Sequence, residues 1–408
     1  MSSIWGSIAK GIDYVNDLNK GFFQLSFEEQ QELGIWGRIK YYNWNFEFAM
    51  LGIMVILFLI SYYGKTLNNK YADKIFVTLN KFLLTELSFA KVGFSASGKK
   101  LPYVEEQNNT WFTTFATGRS TIESVIIKAH LKPRHNPLAL MTQVALANTF
   151  PSLVESDVNE FISVTITPNG QFVATEDAKV SPNAAETLSK FKFITSVVNK
   201  SVMTKARDSN YFLSLTHTSE SDAVPLEYVF MSESNKLNGF IPHYTDSEFG
   251  ELLTKCSKFL QFIAFTDLPE EKPITDKLWD ANQSPRCIIK TALITSDKDI
   301  ELLKELISKV VEIFDTVTKE IQTKSTNTFV TADILKKSIQ LRKEELAKII
   351  KVMKQVEREM IQEKKLEEEK QKRKNLRNQH SEKELDKIEQ KKREKRERRM
   401  KNKQKVKM

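Results

Sequence analysis

Apolar positions are densest near the start of this chain, in "WNFEFAMLGIMVILFLISYYGK". From Phe48 to Ile60 no charged residue interrupts, and the stretch from Phe46 to Tyr63 contains one acid, Glu47, at its edge. Crossing a hydrocarbon core takes roughly 17 to 25 residues. Phe48, Leu51, Ile53, Val55, Leu57, Leu59 and Ile60 leave such a helix no polar face. Tyr41, Tyr42 and Trp44 precede it and Tyr62 and Tyr63 follow, as interfacial aromatics do. The pattern predicts a transmembrane helix over residues 46–63 that is not a cleaved signal, because no convincing cleavage site of small residues accompanies it. Upstream, Ile4, Ile8, Ile12, Val15, Leu18 and Phe22 recur every three or four residues. That spacing predicts an amphipathic helix suited to a membrane interface or a partner's span, although Gly6 and Gly11 weaken it. Ser26 and Glu29 then form a capping box that starts a second short helix.

Residues 66–330 mix two periods. "TIESVIIKAHL", "EFISVTITP", "GQFVATE", "NYFLSLTHT", "LEYVFMS" and "RCIIKTALIT" read as strands, being short β-branched or aromatic runs bounded by turn residues. "NPLALMTQVALANTF" reads as a helix with Asn136 as its cap and Pro137 in its first position. "PNAAETLSKFKFITSVVNKSVM" and "TDSEFGELLTKCSKFLQFIAF" also read as helices. The clearest begins at Ser296, with Ile300, Leu303, Ile307, Val310, Val311 and Phe314 on one face. This order predicts an α+β domain with a mainly antiparallel sheet.

From residue 331 the chain runs through "TADILKKSIQLRKEELAKIIKVMKQVEREMIQEKKLEEEK" without Gly or Pro. Thr331 or Asp333 is placed to cap a helix. Ile339, Leu346, Met353 and Met360 fall seven apart, and Ile349 and Val356 supply alternate positions of a heptad. Arg342 and Glu363 occupy the flanking core positions and break the pattern. The near half can therefore pack against another helix, in this chain or in a partner. Past Ile361 the stripe thins to Leu366, Leu376, Leu385 and Ile388, which predicts a solvated helix.

Charge sharpens this division. The whole chain carries +9, but residues 336–408 alone carry +14, leaving a slightly acidic body. The last eighteen residues hold eleven cations: Lys391, Lys392, Arg393, Lys395, Arg396, Arg398, Arg399, Lys401, Lys403, Lys405 and Lys407. Cations on every face of a helix gain from phosphates with salt-dependent affinity. Nucleic acid and anionic lipid both fit, whereas a membrane span disfavours nuclear import. Arg38 and Lys40 precede the span, and Lys65, Lys70, Lys74 and Lys81 follow it. Positive-inside counting puts the body and tail in the cytosol and the first 45 residues on the lumenal side.

Chemistry leaves few marks. The chain has no phosphate-binding glycine loop, no GxSxG, no HExxH and no CxxC. Cys256 and Cys287, only two in so long a chain, suit a reducing compartment and buried packing. The five histidines, at 130, 135, 217, 243 and 380, are scattered, and Arg119 in "TGRS" reads as part of a turn. The expectation is a protein that is not an enzyme and holds no metal or cofactor.

The order of certain segments resembles the calumin family, the coiled-coil-domain protein of the endoplasmic reticulum PAT complex. Its carriers here are "LTELSFAKVGF", "WFTTFATGRS", "HLKPRHNPLALM", "IIKTALITSDKDIELLKELISKVVEIFD" and the basic close "KQKVKM". The resemblance covers roughly residues 45–408. It implies a translocon accessory that works with a small membrane partner resembling Asterix and shelters nascent multi-pass proteins during insertion. It further implies a cytosolic domain beside the translocation channel, with the tail cations on ribosomal RNA. Animal members carry a signal peptide and a long acidic lumenal region credited with calcium binding. With only some 45 residues before the span and no acidic run, calcium binding is not expected here.

Overall fold

The computed structural model describes residues 20–96, 98–106, 109–149, 159–172, 184–323, 325–379, 387 and 390–398. The expected helix over residues 4–22 lies almost wholly outside them. Four helices open the described chain: α1 (Lys20–Phe23), α2 (Phe27–Glu32), α3 (Gly34–Tyr41) and α4 (Asn45–Thr85). The capping box of α2 forms as its residues require, with the Glu29 amide on Ser26 Oγ at 3.3 Å and the Ser26 amide on Glu29 Oε2 at 2.9 Å.

α4 is one uninterrupted helix of 41 residues, about 62 Å long at 1.5 Å per residue. Its first part is long and apolar enough to cross a membrane, and none of that window is buried in the protein. From Gly64 the pattern changes. Gly64, Asn68, Ala72, Ile75, Leu79, Phe82 and Leu83 form a buried stripe at three- and four-residue spacing. The helix thus continues past the expected edge of the span and becomes part of the folded domain.

Among the described residues, twelve strands follow. β1 (Lys91–Val92), β4 (Val104–Glu106), β5 (Trp111–Thr117), β6 (Ile122–His130), β7 (Phe161–Pro168), β8 (Thr195–Asn199), β9 (His217–Ser219), β10 (Tyr228–Ser232), β11 (Leu260–Thr266) and β12 (Arg286–Ala292) build one sheet. Its order is β1-β5-β6-β7-β12-β11-β8-β10-β9, with β4 also on β5. The pairings are antiparallel throughout. β2 (Phe94–Ala96) and β3 (Lys99–Leu101) make a separate hairpin.

The remaining helices are α5 (Pro137–Thr149), α6 (Ala184–Lys190), α7 (Met203–Ser209), α8 (Tyr211–Ser214), α9 (Phe240–Tyr244), α10 (Ser247–Cys256), α11 (Asp276–Asn282), α12 (Asp297–Gln322) and α13 (Ala332–Gln379). One sheet face meets α4, α9, α10 and α12 around Phe76, Ile127, Val164, Ile289 and Phe314. The other meets α8, α11 and α13 around Phe212, Val229, Phe262, Ile288, Trp279 and Ile349. α12 buries every apolar residue assigned to its face from sequence.

Several expectations fail here. "FITSVVN" and "LQFIAF", read as the far ends of helices, are strands β8 and β11. Their helices stop at Lys190 and Cys256. β8 is buried along its whole length, and its polar Thr195, Ser196 and Asn199 are satisfied by hydrogen bonds inside the fold, so no period-two alternation of apolar and solvent-facing polar residues marks it. "NYFLSLTHT", expected as a strand, is mostly the helical turn α8, followed by the short β9. In "GQFVATE", Gln171 and Phe172 are not in a strand, and Val173 to Glu176 lie outside the described residues. "WFTTFAT" is strand β5, which the sequence reading left unassigned.

Candidate membrane-facing surface and basic arm

The apolar part of α4 is joined to the sheet by a polar clamp. At Gly64 the backbone of the β6–α5 loop lies directly on α4, so an added Cβ would fall 2.1 Å from the Arg134 carbonyl oxygen. One turn further, the fully buried Asn68 donates through Nδ2 to the carbonyls of Asn109 (2.9 Å) and Lys132 (3.0 Å). Its Oδ1 accepts from Arg134 Nη1 at 3.0 Å. Arg134 also holds Glu160 bidentately, at 2.5 and 3.0 Å, and lies 5.5 Å over the Tyr71 ring. Each buried polar atom of Asn68 is satisfied, which makes the junction rigid as well as stable.

α5 starts from this junction. Asn136 caps it as expected, its Oδ1 accepting from the Ala139 amide at 3.1 Å. The helix contains no charged residue, yet no residue in it is buried. Leu138 is 64 % exposed and Met141 70 %. Thirteen residues rise only about 20 Å, too short to cross a bilayer, and a helix of this composition does not normally face water. Anchored beside the end of the apolar part of α4, it extends the apolar surface sideways. The absence of charge from this helix is legible in the sequence, whereas its exposure is decided by the fold.

The residues expected to span the membrane, Phe48, Leu51, Ile53, Val55, Leu57, Leu59 and Ile60, are all exposed side chains on α4. No protein element among the described residues covers them.

On the far side of the domain, the root of α13 is seated by a buried ion cluster. Arg342 Nε donates to Asp267 Oδ2 at 2.8 Å, and Nη2 bonds Asp267 Oδ1. Nη1 donates to Glu233 Oε1 and to the Ser338 carbonyl, each at 2.8 Å. Both carboxylates are buried. Burial alone pulls the Arg342 guanidinium down, but Asp267 and Glu233 together push it above its ordinary value. Burial raises the Glu233 carboxyl above its ordinary value, and Arg342 only partly opposes this. Tyr211 Oη adds a 2.8 Å bond to Glu345, which is also buried. Leu335, Ser338, Arg342, Glu345 and Ile349 therefore form the docked stripe. Arg342, which broke the heptad in the sequence, is the centre of the contact. Ile339, Val356 and Met360 are instead exposed, so packing of the near half occurs on this chain's own body.

Beyond Met353 the helix leaves the domain and runs about 39 Å further to Gln379. Of the tail cations, Lys391, Lys392, Arg393, Lys395, Arg396 and Arg398 lie on an exposed helical segment. Arg399, Lys401, Lys403, Lys405 and Lys407 lie outside the described residues.

Residues weighed for catalysis serve the fold. His130 sits between the Trp111 and Phe161 rings with Nδ1 3.0 Å from the Asn159 carbonyl. Arg119 donates to the Leu87 carbonyl and pairs with Asp315 at 2.5 Å. Both cysteines are buried, and burial pushes the Cys256 thiol up to about 12 and raises that of Cys287. No group of His, Cys, Asp and Glu suited to a metal occurs among the described residues.

Comparison with known proteins agrees with this architecture. The family model described as PAT complex subunit CCDC47 matches residues 43–399. An endoplasmic reticulum membrane protein of Saccharomyces cerevisiae is 43 % identical over 359 residues, 88 % of each chain. One from Schizosaccharomyces pombe is 24 % identical over 300 residues, 71 % of this chain and 72 % of that one. With a match this long running from the span through the sheet to the arm, the chain belongs to the CCDC47 family of PAT complex subunits.

Proposed function

We propose that this chain is a non-enzymatic, single-pass subunit of a ribosome-associated translocon assembly in the endoplasmic reticulum membrane, assisting insertion and folding of multi-pass proteins. The observation that carries this reading is mechanical. A single helix, α4, joins an apolar span to the sheet through the Asn68–Arg134–Glu160 clamp, and the sheet in turn seats the root of α13 through Arg342. The apolar part of α4, the sheet and the root of α13 are thereby held in fixed relation. The positive flank after the span supports a cytosolic domain and a lumenal N-terminus. α5 and the exposed face of α4 supply apolar surface for a small membrane partner resembling Asterix, for the translocation channel and for nascent spans. The cations from Lys391 to Lys407 reach ribosomal RNA.

The test is co-sedimentation with ribosomes from microsomes across a salt series. Full-length protein co-sediments at low salt and is released as salt rises, the signature of phosphate contacts. Removing residues 391–408 abolishes co-sedimentation. Unchanged binding would sink the ribosome contact, and loss of vesicle binding without loss of ribosome binding would assign the arm to anionic lipid.

A further inference from the structure

We infer that α3 lies in the lipid interface on the side of the bilayer opposite the folded domain, as a second membrane anchor at the start of α4. Three observations converge. Ile35, Trp36 and Ile39 fall within about 100° of one another around the helix. They are 76 %, 83 % and 45 % exposed, a large apolar load for eight residues. Second, the elbow that carries them is built. Gly34 takes φ +61° between α2 and α3, Arg38 Nε bonds the Gln30 carbonyl, and Trp44 Nε1 donates 2.9 Å to the Ile39 carbonyl. Trp44 in turn sits edge-on to Tyr42 at 5.1 Å and precedes the first turn of α4. The stripe is therefore fixed in relation to the span. Third, Ile39 precedes the exposed Phe46, at the start of that span, by only seven residues, so the stripe lies close along the chain to the surface that the bilayer covers.

Amphipathic helices with Trp and Ile on one face and cations nearby rest at the boundary of headgroups and acyl chains. Arg38 and Lys40, in the last turn, suit the phosphates of that layer. α3 precedes residue 43, where the family match begins, so this anchor stands apart from what the family comparison covers. The inference rests on the reading of α4 as a membrane span.

The test uses the full chain in proteoliposomes of phosphatidylcholine with a minor fraction of phosphatidylserine. Single cysteines replace Ile35, Trp36, Ile39, Glu32 or Leu57 and carry a nitroxide; the native thiols are buried. Collision with oxygen, which partitions into lipid, is compared with collision with a water-soluble nickel chelate. The oxygen-to-nickel ratio at 35, 36 and 39 should shift towards that of Leu57, while Glu32 stays water-like. If 35, 36 and 39 resemble Glu32 and Leu57 remains lipid-like, the anchor is wrong and the span stands. Protection of the three sites from both agents means protein covers them and also overturns the proposal. A water-like Leu57 overturns the span reading itself.

Discussion

Replacing Arg342 with leucine tests how the arm is attached. The substitution leaves Asp267 and Glu233 buried with their guanidinium partner gone. Breaking a buried pair from one side costs about 3–5 kcal/mol, because the remaining charge stays out of water. Opposing that loss, Leu335 and Ile349 are buried and Leu346 and Met353 partly so, at about 1.5–3 kcal/mol for each fully buried side chain. The apolar contacts thus keep the arm mostly seated, while the docked-to-undocked ratio falls about a hundred- to several-thousand-fold. Hydrogen exchange on the full chain in detergent reads this directly. Amides of residues 338–353 lose protection by that factor, and those of β11 and β12 change less. Replacing Arg342, Asp267 and Glu233 together by apolar residues of similar volume should restore most of the protection, since a whole buried cluster is often no better than a packed apolar one. Protection of residues 338–353 that stays at the original level in the Arg342→Leu protein would refute the assignment of the ion cluster as the anchor.

The clamp and topology give further tests. Gly64→Ala places its Cβ against the Arg134 and His135 backbone and should destabilise the α4 junction by about 1–3 kcal/mol, read as a lowered melting temperature. Gly52→Ala meets nothing within 4 Å and should leave that temperature unchanged. Glu233 binds its proton more tightly in the fold than in the unfolded chain, so its contribution to stability falls as pH rises from its ordinary value of 4.5 through the raised one. Melting curves of the Glu233→Gln protein should lose that part of the pH dependence, and an unchanged profile would count against a raised carboxyl. Asn108 ("NNT"), Asn199 ("NKS") and Asn282 ("NQS") begin glycosylation sequons; Asn108 lies outside the described residues, Asn282 is exposed, and Asn199 is buried with its amide on the Ser257 carbonyl at 3.0 Å. Asn282 is thus the informative glycosylation acceptor, and in microsomes it should stay unmodified; a glycan there would reverse the orientation.

Much of the framework was legible because it obeys short-range rules. Asn136 with Pro137, and Ser26 with Glu29, mark helix starts through local hydrogen bonds that need no tertiary partner. α12 announced itself because one face meets the sheet and the other meets water, which writes a 3.6-residue period into the sequence. β8 and β11 were misread because both faces are covered, and covered faces erase alternation.

By itself the sequence determined the apolar run of the span, the antiparallel class of the domain and the separation of a basic tail from an acidic body. These are sums over local composition and periodicity. Only the tertiary structure decided what Gly64, Asn68, Arg134 and Glu160 do, since they come together from α4, the β6–α5 loop and the residue just before β7. It likewise turned Arg342 from a break in a heptad into the buried centre of the arm's attachment, because Asp267 and Glu233 lie 75 and 109 positions away. The meaning of a charge at an apolar position depends on the partner that neutralises it, and that partner is set by the fold.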